Sequence, residues 1–119
     1  MGMTNEDAKE LLNEWQIRLG LADWRIKLSV NCEPHEMEME SVGCTSWQEV
    51  SKTAHICIID KKYYGDRVVP FDFEKTLVHE LLHLKTCLLF DTGNELQDRI
   101  AHQLIDDLAR AFVDVKEGR

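Results

Sequence analysis

His79-Glu80-Leu81-Leu82-His83 lies inside the apolar run 76–84, and this HExxH spacing constrains the chain more than any other feature. The run contains neither Gly nor Pro and is rich in Leu, so it predicts a helix. Residues four apart on a helix stand one turn above each other on the same face. His79 and His83 can therefore offer two imidazole nitrogens to one metal ion. Glu80, about 100° round the axis, can reach a water on such an ion but is badly placed to be a third ligand. Two neutral nitrogen donors beside a carboxylate are the parts of a zinc hydrolase.

With this chain's His and Glu content, the three fixed positions arise by chance in a sequence of this length with a probability of roughly 2%. The competing reading is an amphipathic core helix that happens to carry two histidines. His is poorly suited to full burial, and an ionisable Glu80 among Leu and Val needs a partner. Both points favour a metal site.

Catalytic zinc usually takes three protein ligands and leaves one position for water. The helix after the motif offers Glu95, Asp98, His102 and Asp106, the last three at four-residue spacing along the border of an apolar stripe. His102 is the strongest candidate, because imidazole is a good zinc ligand and a His at that border points toward a packed neighbour. Glu95, Asp98 or Asp106 as the ligand remains the alternative, as does a His102 that only makes a surface hydrogen bond. Asp98 and Asp106 are also placed to hold ligand imidazoles by hydrogen bonds. Cys87, four residues beyond His83, is read as packing rather than as a ligand. The expected cofactor is one zinc per chain, which lowers the pKa of a bound water from 15.7 to about 7. Glu80 is the expected catalytic base, taking that proton and returning it to the leaving amine, a role worth about 10² to 10⁴ in rate. Tyr63, Tyr64 and His55 are oxyanion-stabilising candidates by chemistry alone.

The 119 residues are expected to form one domain around a single core. Twenty-two acidic residues against 14 basic ones give a net charge of −8, spread over most of the chain. A nucleic-acid partner or an anionic membrane surface would need a basic patch to neutralise phosphates, so neither is expected. No apolar stretch approaches a membrane span, and the N-terminal residues lack the basic and apolar regions of a signal peptide, so the expected location is cytoplasmic. Cys32, Cys44, Cys57 and Cys87 form no CxxC pair and are read as reduced, half-buried thiols.

The remaining elements follow from periodicity and punctuation. Asn5 is the expected N-cap of a first helix that ends near Gly20 and covers a sheet, with Ala8, Leu11, Leu12, Trp15 and Leu19 at helical spacing. Trp24, Ile26, Leu28 and Val30 alternate with polar residues as in a half-buried strand. Residues 32–42 read as a solvated loop. Residues 44–50 and 53–60 read as an antiparallel hairpin closed at Ser51-Lys52, and 61–70 as a loop. Pro70 and Asp72 mark the start of the HExxH helix, which is expected to stop before Asp91-Thr92-Gly93. Asn94 caps the last helix, with Gln97 reaching back and a stripe through Ile100, Leu104, Ile105, Leu108, Ala111 and Phe112. No internal repeat divides the chain.

The motif in LVHELLHL, preceded by a helix and three short strands and followed by a final helix, resembles the zincin metallopeptidases, and especially the small metallopeptidases found in phage and mobile-element genomes. That resemblance spans most of the chain, from the Trp24 strand through Ala54-His55-Ile56-Cys57-Ile58 to the last helix. It implies that His79 and His83 bind zinc, that Glu80 is the base, and that a sheet edge beside the active helix holds an extended peptide. Zincins with an acidic third ligand place a Glu on the following helix, where this chain's best-placed residue is His102. SprT-like proteases, which often add a cysteine zinc ribbon, fit less well. So do the metal-dependent endoribonucleases of ribosomal RNA maturation, whose motif carries Gly in place of Glu80. The expected fold is therefore α+β and zincin-like: an N-terminal helix, an antiparallel or mixed sheet of about three strands, the HExxH helix and a C-terminal helix. The expected function is hydrolysis of a peptide bond in a peptide or protein substrate. A non-catalytic zinc-binding interaction module and, third, a metal-dependent nuclease are the alternatives.

Overall fold

The computed structural model describes residues 3–34, 42–87 and 93–118. Its first helix, α1 (Asn5–Arg18), is capped by Thr4 rather than by Asn5: the Thr4 hydroxyl accepts from the Asp7 amide at 3.1 Å. Asn is intrinsically the better cap, but the extended backbone lies at Thr4 and Asn5 is already the first helical residue, so backbone position overrides the preference. Gly20, at φ 71°, closes the helix in the left-handed conformation that Gly adopts without strain. The Gln16 side-chain amide then donates to the carbonyls of Leu21 and Trp24, each at 3.0 Å, and pins the turn into the sheet.

Three strands follow: β1 (Arg25–Cys32), β2 (Gly43–Gln48) and β3 (Thr53–Ile59). The sheet is mixed. β3 lies at its centre, parallel to β1 and antiparallel to β2. β1 begins one residue later than expected and runs two residues past Val30, because a bulge between Ser29 and Cys32 resets the alternation. Asn31 takes the positive φ of that irregularity, and its amide donates to the Met3 carbonyl. The β2–β3 hairpin forms as expected but with shifted ends. Pairing stops at Gln48↔Thr53, so the connection is residues 49–52 and Val50 is fully exposed instead of in a strand. The loop expected over 32–42 falls mostly on 35–41, outside the described residues.

After a 3₁₀ turn at Lys61–Tyr63, α2 (Phe73–Thr86) is capped by Asp72, whose carboxylate accepts from the Lys75 amide at 3.0 Å. The last described helical residue is Thr86, and the expected stop before Asp91-Thr92 lies outside the described residues. α3 (Glu95–Lys116) is capped by Asn94, which accepts from the Gln97 amide as expected. α3 runs antiparallel to α2, with Asp106 beside His79 and Lys75, and Lys116 reaching back to Glu74. The Trp15 indole donates to the same Glu74 carboxylate at 2.7 Å, so one half-buried acid ties all three helices.

The face that α3 buries differs from the expected stripe. Ala101, Ile105, Ala109 and Val113 are buried, whereas Ile100, Leu104, Ala111 and Phe112 are exposed. Two alanines in the seam let the helices approach closely, and interaxial distance follows the size of the contact residues; hydropathy alone favours the larger residues and rotates the stripe. The core joins Leu12 and Trp15 of α1, Ile56 and Ile58 of β3, Leu77, Val78 and Leu81 of α2, and Ile105 of α3. Ile56 is wholly buried at the centre. Ile56→Ala is expected to cost about 2 to 5 kcal/mol and Ile56→Val about 0.5 to 1.5, read from urea unfolding midpoints at unchanged slope. The result is an α+β fold of three helices and a three-stranded mixed sheet. Among the described residues no helix is long and apolar enough to cross a membrane.

Candidate metal centre

α2 is buried on most of its circumference: Leu77, Val78, Leu81, Leu82 and Leu84 are all in the core. The sector carrying Lys75, Thr76, His79, Glu80 and His83 opens onto a cleft, of about 770 Å³, which β2, α3 and the segment before α2 complete. The four-residue spacing puts the His79 and His83 ring centroids 5.1 Å apart. Docking of α3 adds His102, whose ring centroid is 4.8 Å from that of His83 and 6.2 Å from that of His79. One donor atom from each of the three rings lies within 4.8 Å of the others, so the trio can hold a metal ion. A tetrahedral zinc with Zn–N near 2.0–2.1 Å spaces its nitrogens about 3.4 Å apart, inside that limit.

Electrostatics suit the same role. Burial, reinforced by the two neighbouring imidazoles, pushes His83 down to about 4, so it is a neutral donor at neutral pH. Burial likewise lowers His79, against an opposing pull from Asp106. A metal ligand must be deprotonated. Asp106 accepts at His79 Nδ1 at 3.3 Å, which leaves Nε2 for the cleft; a carboxylate behind a ligating imidazole orients it in this way. Lys75 and Arg110 hold Asp106 in turn, at 2.9 and 3.3 Å. Against the upward push of its own partial burial, Asp106 stays below the ordinary carboxylate range because of Lys75 and His79.

Glu80 lines the same cleft on its β2 side, 6% exposed and against the sheet. The Thr45 hydroxyl of β2 donates to its Oε1 at 2.6 Å. Burial pushes the Glu80 carboxyl up to about 7, against the smaller downward pull of that hydrogen bond. Its second oxygen, Oε2, lies over Gly43, where a Cβ would come within 3.1 Å of both Oε2 and Thr76 Cγ2. A methyl there is tighter than ordinary contact, and the Glu80 and Thr76 side chains, both held between α2 and β2, have to give way to it. Gly43→Ala is therefore expected to destabilise the fold by about 1 to 3 kcal/mol, measured by urea titration, with Ser46→Ala on the exposed part of β2 as the control expected to stay within about 0.5.

The other candidates separate clearly. Glu95 is exposed and paired with Arg99 one turn on, away from the trio. Asp98 and Cys87 line the cleft but are not members of the trio. The Tyr64 hydroxyl donates to the Val69 carbonyl at 2.6 Å, and Tyr63 is stacked under Lys62 outside the cleft lining. His55 Nε2 contacts the Ser29 hydroxyl at 2.8 Å and the Cys57 thiol at 3.5 Å. The four cysteines form no disulfide, and burial, with Cys44 and Cys32 alongside, pushes the Cys57 thiol up to about 12. Three contributors are absent from the sequence reading. Lys75 was legible, being one helical turn before His79; Thr45 and Gly43 were not, because only strand register and docking bring them to Glu80.

Fold and site together define an α+β domain with a three-histidine group able to hold a metal ion beside a buried carboxyl. Comparison with protein-family models, with curated proteins and with solved structures found no match.

Proposed function

We propose that the chain is a cytoplasmic, zinc-dependent peptidase of the zincin type, with His79, His83 and His102 as ligands and Glu80 as the general base. The observation that carries this reading is the meeting of three imidazoles, two of them depressed by burial, next to a carboxyl whose one oxygen is tethered and whose pKa sits near neutrality. A purely structural site has no use for such a base. Zinc is the metal that best matches three neutral nitrogen donors with an open fourth position. When bound, it supplies a Lewis acid for the scissile carbonyl and acidifies water.

The protein's own groups do the rest. Thr45 fixes Glu80 Oε1, which leaves Oε2 as the oxygen that takes a proton from water and hands it to the departing amine nitrogen. A carboxyl held at about 7 exchanges a proton in both directions near neutral pH, which is the condition for effective general catalysis. Asp106 fixes the His79 tautomer with Nδ1 protonated. Among the described residues β2 pairs with β3 at the edge of the sheet, and it runs past Glu80. Its other edge is an acceptor for an extended peptide.

The ligand assignment is tested by zinc affinity in single alanine variants. His102→Ala is expected to weaken zinc more than Asp106→Ala, whose effect through His79 should be about 10- to 100-fold, while Asp98→Ala and Glu95→Ala change little. Circular dichroism separates a lost ligand from a melted helix. An acid variant that loses zinc while His102→Ala keeps it would transfer the third position to that carboxylate.

A further inference from the structure

β3 carries Ile56 and Ile58 on the face buried in the main core, so His55 and Cys57 stand on its other face. There Cys57 joins Cys32 of β1 and Cys44 of β2 in a second, smaller cluster. Cys44 lies directly opposite Cys57 in the β2–β3 register, so the two side chains leave the sheet on the same side. The Ile59 amide donates to the Val42 carbonyl at 2.9 Å, and two residues further along each strand Cys44 and Cys57 are again a hydrogen-bonded pair. Such a pair holds its Cα atoms about 5.5 Å apart, inside the roughly 4.4–6.8 Å over which a disulfide closes. His55 Nε2 contacts the Cys57 thiol at 3.5 Å. Cys44, His55 and Cys57 all line the cleft, Cys44 half-buried and Cys57 9% exposed.

We propose that Cys44 and Cys57 form an oxidation site, a pair of thiols that a peroxide entering the cleft joins as a disulfide, with His55 as the base. The effect of that bond on hydrolysis rests on the peptidase reading; the bond itself does not. Cys44, the more exposed of the two, reacts first. Its sulfur takes one oxygen from hydrogen peroxide, the O–O bond breaks, and the thiol proton leaves with the departing hydroxide as water. The Cys57 sulfur then attacks the Cys44 sulfur and displaces hydroxide. His55 Nε2 takes the Cys57 proton and passes it to that hydroxide, so two thiols are oxidised and one peroxide ends as two waters. The surroundings set this order. Burial, and then Cys44 and Cys32 on the neighbouring strands, push the Cys57 thiol up to about 12, and it is the thiolate that is nucleophilic. Cys57 therefore waits for a base. Cys32, at the far end of β1, is absent from the cleft lining.

Opposite Cβ atoms on paired strands stand about 4.5–5.5 Å apart, against about 3.8 Å across a disulfide. Closing the bond draws β2 toward β3 by about 1 Å at Cys44. The residues on either side of it, Gly43 and Thr45, are those that hold Glu80. Misplacing a catalytic group by about 1 Å costs on the order of 10² in rate.

The test treats the zinc-loaded full chain with hydrogen peroxide and reads intact mass and the peptides that carry the link. The expected product is an intramolecular Cys44–Cys57 disulfide, lighter by two hydrogens and reversed by dithiothreitol. Cys57→Ser should stop at a Cys44 sulfenic acid, captured by dimedone, and Cys44→Ser should leave Cys57 a free thiol. His55→Gln should slow closure about 10²-fold and accumulate the dimedone adduct on Cys44, with the circular dichroism spectrum unchanged. Closure at the parent's rate in that variant overturns the role of His55. A chain whose four cysteines all stay free, a bridge from Cys57 to Cys32 in place of Cys44, or a disulfide joining two chains overturns the site. Hydrolysis is scored separately: it should fall about 10²-fold on oxidation, at unchanged zinc content, and return with dithiothreitol. A bond that leaves hydrolysis untouched overturns the coupling to Glu80. Disulfide formation in a chain that never hydrolyses peptides sinks the peptidase reading and leaves the oxidation site, whereas hydrolysis by a chain that forms no bond does the reverse.

Discussion

Replacing His79 and His83 together by alanine is expected to take zinc from about one ion per chain to none. The effect should be the largest of any pair of substitutions, because it removes two of the three proposed donors at once and leaves His102 without the chelate that the proposed site needs. The fold should survive. Both side chains sit on the one sector of α2 that opens onto the cleft, while Leu77, Leu81 and Leu84 keep the core. The measurement is metal content by mass spectrometry after dialysis against a weak chelator, with helix content by circular dichroism alongside. Retention of a full equivalent of zinc in the double variant would remove the metal centre altogether. A partial equivalent would point to a donor set that does not depend on α2.

Glu80→Gln should keep zinc and lose about 10² to 10⁴ of peptide hydrolysis. Gln preserves the size of the side chain, and its carbonyl oxygen can still accept from Thr45, so the change removes the proposed base and little else. A variant that loses zinc as readily as the histidine variants would make Glu80 a ligand. A second readout does not need activity. Glu80 sits at about 7 in the fold and at 4.5 ordinarily. Between those values the unfolded chain ionises Glu80 and the fold keeps it protonated, so its effect on the metal-free protein is stability lost as pH rises from about 4.5 to 7. That gap corresponds to about 3 kcal/mol, all of it felt by pH 8. Metal-free Glu80→Gln should therefore be more stable than the parent at pH 8, by up to about that amount, and the advantage should shrink toward pH 5. An advantage that is constant with pH would mean that Glu80 is not the group responsible.

What was legible in the sequence was what depends on neighbours along the chain. HExxH places two imidazoles on one face because a helix repeats every 3.6 residues, whatever packs against it. The caps at Asp72 and Asn94, the β2–β3 hairpin and the half-buried alternation of Trp24, Ile26 and Leu28 are equally local, and each appears in the structure within a residue or two. Where several local solutions were nearly equal, the tertiary structure chose. Thr4 caps α1 in place of Asn5. α3 buries Ala101 and Ala109 and leaves Ile100 and Leu104 exposed, a choice of face that the apolar spacing alone does not make.

The completed centre belongs to that second category. His102 follows His83 by nineteen positions in the sequence and lies beside it only because α3 returns antiparallel along α2. Thr45 and Gly43 precede Glu80 by more than thirty positions, and they meet it only because β2 pairs with β3 in one register and α2 docks on that sheet. Hydrogen-bond geometry along a helix is fixed by covalent spacing, so its consequences can be read from residue order. Contacts between elements are fixed by which surfaces bury best together, and that choice is made by the whole chain at once.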